Sequence, residues 1–185
     1  DGFTVEADLD AISSYLTFRQ AVWDLCFFKN VHKVLPGHIV VFSASGVSNS
    51  PYWSLPPAHH NINLRENEWR EQTEHLLSEA VRKRMIADVP IGSYLSGGLD
   101  SSLIVAMMAE QSKNPVNTFS IGYKTAEYDE GPYAQYVAEE FSTNHHHIVL
   151  DQEDYLSVWM RLIRQRDIPL SIPHEIPLFR LSQEI

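Results

Sequence analysis

The chain has 185 residues, 44% hydrophobic and 21% charged, a globular balance with room for one domain, or one small domain and part of another. Its formal charge of −10 argues against a nucleic-acid backbone or an anionic membrane as the main partner. A single cysteine excludes an internal disulfide and a thiolate cluster; with no long apolar run and no visible signal peptide, a cytoplasmic setting is expected.

In chain order, Asp8 to Phe18 predicts a short helix with Asp8 as N-cap and Leu9, Ile12, Tyr15, Leu16 and Ala11 on its apolar side. Cys26 lies among Trp23, Leu25, Phe27 and Phe28 and reads as a buried structural residue; a reactive thiol needs an electropositive, partly exposed setting. Pro36-Gly37 marks a turn, His38 to Phe42 a strand, Ser43 to Ser50 a polar turn around Gly46, and Pro51-Tyr52-Trp53 the start of a return strand. Leu55 to Asn63, with Pro56-Pro57, reads as a linker. A long helix is expected from Leu64 to Ile86, with Trp69, Thr73, Leu76, Leu77, Ala80, Val81, Arg84 and Met85 on one face. Arg82, Lys83 and Arg84 suit its C-terminal dipole, the alternatives being a nucleic-acid patch or, for Arg84, a buried carboxylate or phosphate partner.

The most informative stretch is Ser96-Gly97-Gly98-Leu99-Asp100-Ser101-Ser102, between the apolar run Val89 to Leu95 and a helix-like run Leu103 to Gln111. A strand delivering glycines onto a helix N-terminus can hold an anion: the backbone approaches closely, first-turn amides point at the ligand, and serines add donors. Asp100 would repel a bare phosphate, and makes sense as a ligand of Mg²⁺ bound to pyrophosphate. An ordinary strand-to-helix turn with serine capping is the plainer alternative. The Walker pattern is excluded because Leu99 stands where its lysine would be, and the three spaced glycines of the dinucleotide fingerprint are missing.

Beyond the loop the sequence predicts a strand at Val116–Tyr123, a helix at Asp129–Phe141 with Tyr133, Tyr136, Val137 and Phe141 inward, and a strand at His145–Leu150. A helix follows at Glu153–Arg164, carrying Tyr155, Leu156, Trp159, Leu162 and Ile163. The alternation indicates βαβ units and a parallel sheet whose C-terminal edge, at Leu95-Ser96 and Ile121-Gly122, is the place for a ligand. Strand alternation lets at most two of His145, His146 and His147 converge, so packing and hydrogen bonding is the better reading than a metal site. Asp129 and Glu130 are read as helix N-terminal charge, with contact to a substrate as the alternative.

The loop resembles the pyrophosphate-binding loop of the ATP-pyrophosphatase group, and its surroundings resemble the glutamine-hydrolysing asparagine synthetase family. The further landmarks are Asp88 to Gly92, Thr118 to Tyr123, Tyr128-Asp129-Glu130, Tyr133-Ala134, Val137 to Glu139, His145-His146, Asp167-Ile168-Pro169 and Ile176 to Phe179. Tyr15 to Phe18, Phe28 to Val31, Lys33 to His38 and Tyr52-Trp53 resemble the last part of that family's N-terminal glutaminase domain. The resemblance implies an α/β, parallel-sheet ATP-pyrophosphatase domain (adenine nucleotide alpha hydrolase-like), preceded by the C-terminal part of an α+β Ntn-type glutaminase domain. The expected division is residues 1–54 for the glutaminase part, 55–63 for the linker and 64–185 for the N-terminal part of the synthetase domain, a piece of something longer.

The chemistry implied is ligase chemistry. A carboxylate, aspartate in the leading reading, is activated by ATP as an acyl-adenylate with release of pyrophosphate, then amidated by glutamine-derived ammonia to give asparagine. Leu95, Ser96, Gly97, Gly98, Asp100, Ser101, Ser102 and Ile121 would bind the nucleotide, with Asp100 as the Mg²⁺ ligand. Asp167 is the candidate catalytic carboxylate, although Ile168 stands where related sequences commonly carry glutamate. Cys26 is not the glutaminase nucleophile, which in that family sits at the extreme N-terminus of the mature chain. The resemblance leaves a homodimer open for the parent protein, with small molecules, and neither nucleic acid nor membrane, as partners. Two other readings stay open: a sibling amidotransferase or cyclase acting on another carboxylate, and a non-catalytic nucleotide-binding fragment. The 185-residue chain alone is expected to be inactive and aggregation-prone.

Overall fold

The computed structural model describes residues 4–57, 63–124, 129–166, 168–172 and 174–183. The chain divides into two compact units, Asp1–Ile62 with Arg166–Pro173, and Asn63–Gln165 with His174–Ile185.

The first unit holds helix α1 (Leu9–Phe18) and a hairpin of β1 (His38–Ser43) and β2 (Gly46–Pro51). Asp8 caps α1 as expected, its Oδ1 accepting the Ala11 amide at 2.8 Å. The buried side of α1 differs from the expected one: Ala11 and Ser14 face inward, while Leu9 and Leu16 are exposed. The Ser14 hydroxyl explains the phase. It donates to the Gln20 carbonyl at 2.9 Å and accepts from the Val22 amide at 3.0 Å, so the returning chain covers this side. The hairpin also corrects the reading of Ser43 to Ser50. The turn is confined to Ser43–Gly46, and the polar residues from Gly46 to Pro51 are themselves the return strand, His38 pairing with Pro51 and Ser43 with Gly46. Cross-strand hydrogen bonds satisfy the backbone whatever the side chains, and the all-exposed β2 needs no apolar alternation. Cys26 is half-buried.

The second unit is α/β. Helix α2 (Glu66–Arg84) leads to β3 (Gly92–Tyr94), α3 (Leu99–Gln111), β4 (Asn117–Tyr123), α4 (Gly131–Glu140), β5 (Asn144–Leu150), α5 (Gln152–Arg166) and α6 (Glu175–Ser182). The three strands form one parallel sheet in the order β3-β4-β5. Tyr94 lies opposite Phe119, and Ile121 opposite Ile148, so the C-terminal strand ends share one edge.

Two apolar clusters hold the unit together. Val81 of α2 packs with Met107, Met108 and Val116, flanked by Leu77 and Met85. Leu95 packs with Val105 of α3 and Ala134 and Ala138 of α4. Helix phase agrees with expectation at Leu77, Val81, Met85, Val137, Phe141 and Leu162, and departs from it at several of the bulkiest residues. Trp69 and Leu76 of α2, Tyr133 and Tyr136 of α4, and Leu156 and Trp159 of α5 are exposed. In α4 the alanines face Leu95 and Val105 because a small residue lets the helix close on its neighbours, where a phenol would hold it away. Among the described side chains of α5, Val158 and Leu162 are buried.

Candidate functional site

The Leu95 amide donates to the Phe119 carbonyl at 2.8 Å, extending the β3–β4 pairing one residue before the chain turns. Leu95 as a whole residue is only 1% exposed, so it shapes the strand end from within the core. Gly97 then adopts φ +76°. A Cβ there would lie 2.5 Å from the carbonyl carbon and Cβ of Tyr133 and 2.6 Å from the Ala134 amide nitrogen. Glycine is thus demanded twice, by conformation and by space. Gly98 is different: it is the N-cap of α3 with φ −71°, and a Cβ on it would meet only the Ser96 hydroxyl, at 3.3 Å. Its missing side chain leaves the helix N-terminus uncovered, and packing does not require it.

The loop serines knit the turn together. Ser101 Oγ donates to the Gly98 carbonyl at 3.1 Å and lies 2.9 Å from Ser96 Oγ, which in turn accepts the Gly98 amide at 3.2 Å. Ser102 Oγ donates to the same carbonyl at 2.7 Å. These hydroxyl protons are engaged within the loop, whereas the amides of Leu99, Asp100 and Ser101, in the first turn of α3, have no intrahelical acceptor. Free amides at a helix N-terminus, aided by the helix dipole, are donors suited to an anion. Asp100 is exposed on the same turn. Among the described residues no group of three or more His, Cys, Asp or Glu is placed to hold a metal alone. One exposed carboxylate beside free helix N-terminal amides is compatible with Mg²⁺, which is held by one or two carboxylates together with substrate phosphates.

The neighbouring strand end is stripped of bulk. Ile121 is half-buried and Gly122 buried. Asp129 Oδ1 accepts from the amides of Tyr123 at 3.3 Å and Gly131 at 3.0 Å, a helix-entry role. The Tyr123 phenol is raised above its ordinary pKa, first by burial and then by Tyr155 and Glu130. Sequence reasoning took Tyr133 for a core side chain and missed that its backbone walls the loop. A signal was present in Asp129-Glu130-Gly131-Pro132: an acid two residues before glycine, then proline, marks an Asx-type turn opening a helix.

The three histidines divide as strand alternation requires. On one face Thr118 Oγ1 bonds His145 Nδ1 at 2.8 Å, and Ser120 Oγ bonds His145 Nε2 at 3.0 Å and His147 Nδ1 at 2.7 Å. On the other, His146 stacks on Phe119 with ring centroids 5.0 Å apart. Burial, then the imidazoles of His147 and His146, hold His145 below its ordinary pKa. The network keeps Thr118 and Ser120, both essentially inaccessible, hydrogen-bonded.

Arg82 pairs with Glu79 at 2.9 Å and Arg84 is exposed, so this end of α2 is solvated. Asp167 and Tyr128 lie outside the described residues. A groove of about 300 Å³ opens at the other edge of the sheet, between Met85, Val89, Ile91, Met108 and Val116. It holds no titratable side chain, so the chemistry-bearing residues gather at the loop and not there.

Residues 72–185 match the family model described as asparagine synthase. The glutamine-hydrolyzing asparagine synthetase 3 of Bacillus subtilis is 30% identical over 156 residues, 77% of this chain and 25% of that protein. Asparagine synthetase 1 of the same organism is 27% identical over 183 residues, 97% of this chain and 28% of the relative. A Penicillium rubens protein named amidase chyE is 31% identical over 174 residues, 83% of this chain and 26% of the relative. The chain thus spans about a quarter of the length of these relatives. The family match covers more than half of the chain and includes most of α2, the loop, α3 and all three parallel strands, and the chain belongs to the asparagine synthase family.

Proposed function

We propose that this chain carries the ATP-binding part of an amide-forming ligase. The observation that carries the reading is Gly97: a glycine at φ +76°, closed in by the α4 backbone, turning a parallel strand onto an uncapped helix N-terminus. A polyphosphate is the ligand such a turn suits. The first-turn amides of α3 would hold the pyrophosphate portion of ATP, with the strand ends that carry Leu95 and Ile121 lying beside the rest of the nucleotide. Asp100 would hold Mg²⁺, whose contribution is to spread negative charge on the phosphates.

In the proposed reaction a substrate carboxylate oxygen bonds to the α-phosphorus as the bond to the bridging oxygen breaks, and pyrophosphate leaves. Ammonia then attacks the acyl carbon, AMP departs and an amide remains. The loop's part is to orient the pyrophosphate and stabilise the charge that gathers on it. The asparagine synthetases among the relatives favour aspartate as acceptor. The relative named an amidase favours a second reading, in which the same nucleotide site serves another carboxylate.

Calorimetric titration of ATP–Mg²⁺ into the chain tests the site. Saturable binding that Asp100→Ala and Gly97→Ala both weaken is the expected result. A folded chain that takes up no ATP would sink the assignment.

A further inference from the structure

One oxygen of Asp129 ties the end of β4 to the start of α4, accepting the amide of Tyr123, the last residue of the strand, and that of Gly131, the first of the helix. Glycine makes room for it on both sides. A Cβ on Gly122 would lie 2.6 Å from Asp129 Oδ1 and 2.7 Å from the His147 ring; one on Gly131 would lie 3.0 Å from the oxygen and 2.6 Å from the ring. His147, held by Ser120 Oγ at 2.7 Å, therefore backs the same point. Two residues into α4, the backbone of Tyr133 and Ala134 closes on Gly97, within 2.5–2.6 Å of where its Cβ would be. The wall against Gly97 is main chain, which has no alternative rotamer with which to absorb a displacement.

We propose that Asp129 is a positioning residue for the phosphate loop, acting through the amino terminus of α4. The proposal rests on the reading of Ser96–Ser102 as a phosphate site. Asp129 sets where α4 begins, α4 sets where the Tyr133–Ala134 backbone stands, and that backbone holds Gly97 at positive φ. The carboxylate oxygen accepts from two amides that lie outside the loop. What the arrangement needs is an acceptor oxygen at that point, so the amide of asparagine replaces it.

The test compares Asp129→Ala, Asp129→Asn and Asp129→Glu in the full chain, by amide hydrogen exchange and by ATP–Mg²⁺ titration. Loss of the two bonds in Asp129→Ala should speed exchange at Gly98 and Ser102, whose amides are hydrogen-bonded to Ser96 Oγ and the Gly98 carbonyl, roughly ten- to a hundredfold, leaving Met107 to Ala109 unchanged. Asp129→Asn should restore protection. Asp129→Glu, which keeps the charge but moves the oxygen by one methylene, should behave as the alanine variant, and serves in its place if alanine does not fold. ATP–Mg²⁺ affinity should follow the same order. Unchanged loop exchange in both disruptive variants, a uniform rise along the whole of α3, or failure of asparagine to rescue would each overturn the proposal. If loop exchange responds as expected but the unsubstituted chain binds no ATP, the phosphate reading falls and the strut between Asp129 and Gly97 stands.

Discussion

The hairpin turn at Ser43–Gly46 and the loop at Ser96–Ser102 are both built of glycine and serine, and each contains a glycine at positive φ, +124° at Gly46 and +76° at Gly97. Around Gly46 there is nothing within 4 Å of an added Cβ; around Gly97 the main chain of α4 stands at 2.5 Å. The strands they serve differ likewise. Ser48 and Ser50 of β2 face solvent, whereas Thr118 and Ser120 of β4 are buried in a network with His145 and His147. Similar local composition makes a solvated turn in one unit and a walled, pre-shaped one in the other. Hydrogen-bonded hairpin strands need only each other, while a loop at the edge of a parallel sheet is shaped by the helices that cross over it.

The sharpest way to break this comparison is to add one methyl group at each turn. Gly97→Ala combines an unfavourable φ with a clash against main chain and should cost about 3 kcal/mol or more, read as a lowered melting temperature, with loss of ATP–Mg²⁺ binding. Gly46→Ala meets only the conformational penalty of its φ of +124° and should cost about 1–3 kcal/mol, with nucleotide binding untouched. Equal losses at the two glycines would mean the wall at Gly97 is not decisive.

Serine deletions give a smaller contrast. Ser120→Ala strips a partner from both His145 and His147 and should cost about 1–3 kcal/mol in chemical denaturation, where Ser48→Ala should be silent. The smallest effect is that of pH. Burial holds His145 below its ordinary value of 6.5, so below that value the unfolded chain binds a proton that the native state resists. Stability from this group is complete above about pH 6.5 and declines as the pH falls toward the depressed native pKa. A melting-temperature profile should show that acid slope, and His145→Gln should flatten it.

Much of the second unit was legible before any coordinates. The alternation of apolar strands with helical stretches placed the parallel sheet, and Gly-Gly between a strand and a helix marked the loop. Asp8 announced its own helix, since capping depends on a side chain and an amide three residues away. Less legible was which side each helix buries. Tyr133, Tyr136, Leu156 and Trp159 looked like core and are exposed, because burial follows the closest fit between elements and not the largest side chain. The return strand of the hairpin was hidden for the opposite reason, being too polar to announce itself.

Sequence by itself determined what is local: a strand–glycine–helix turn, the carboxylate at Asp100 and the order of strands and helices in the second unit. Only the tertiary structure decided which of the two glycines is sterically indispensable. That was settled by α4, thirty-odd residues beyond the loop. Its backbone defines the space beside Gly97, and the spacing of residues along the chain carries no record of that contact.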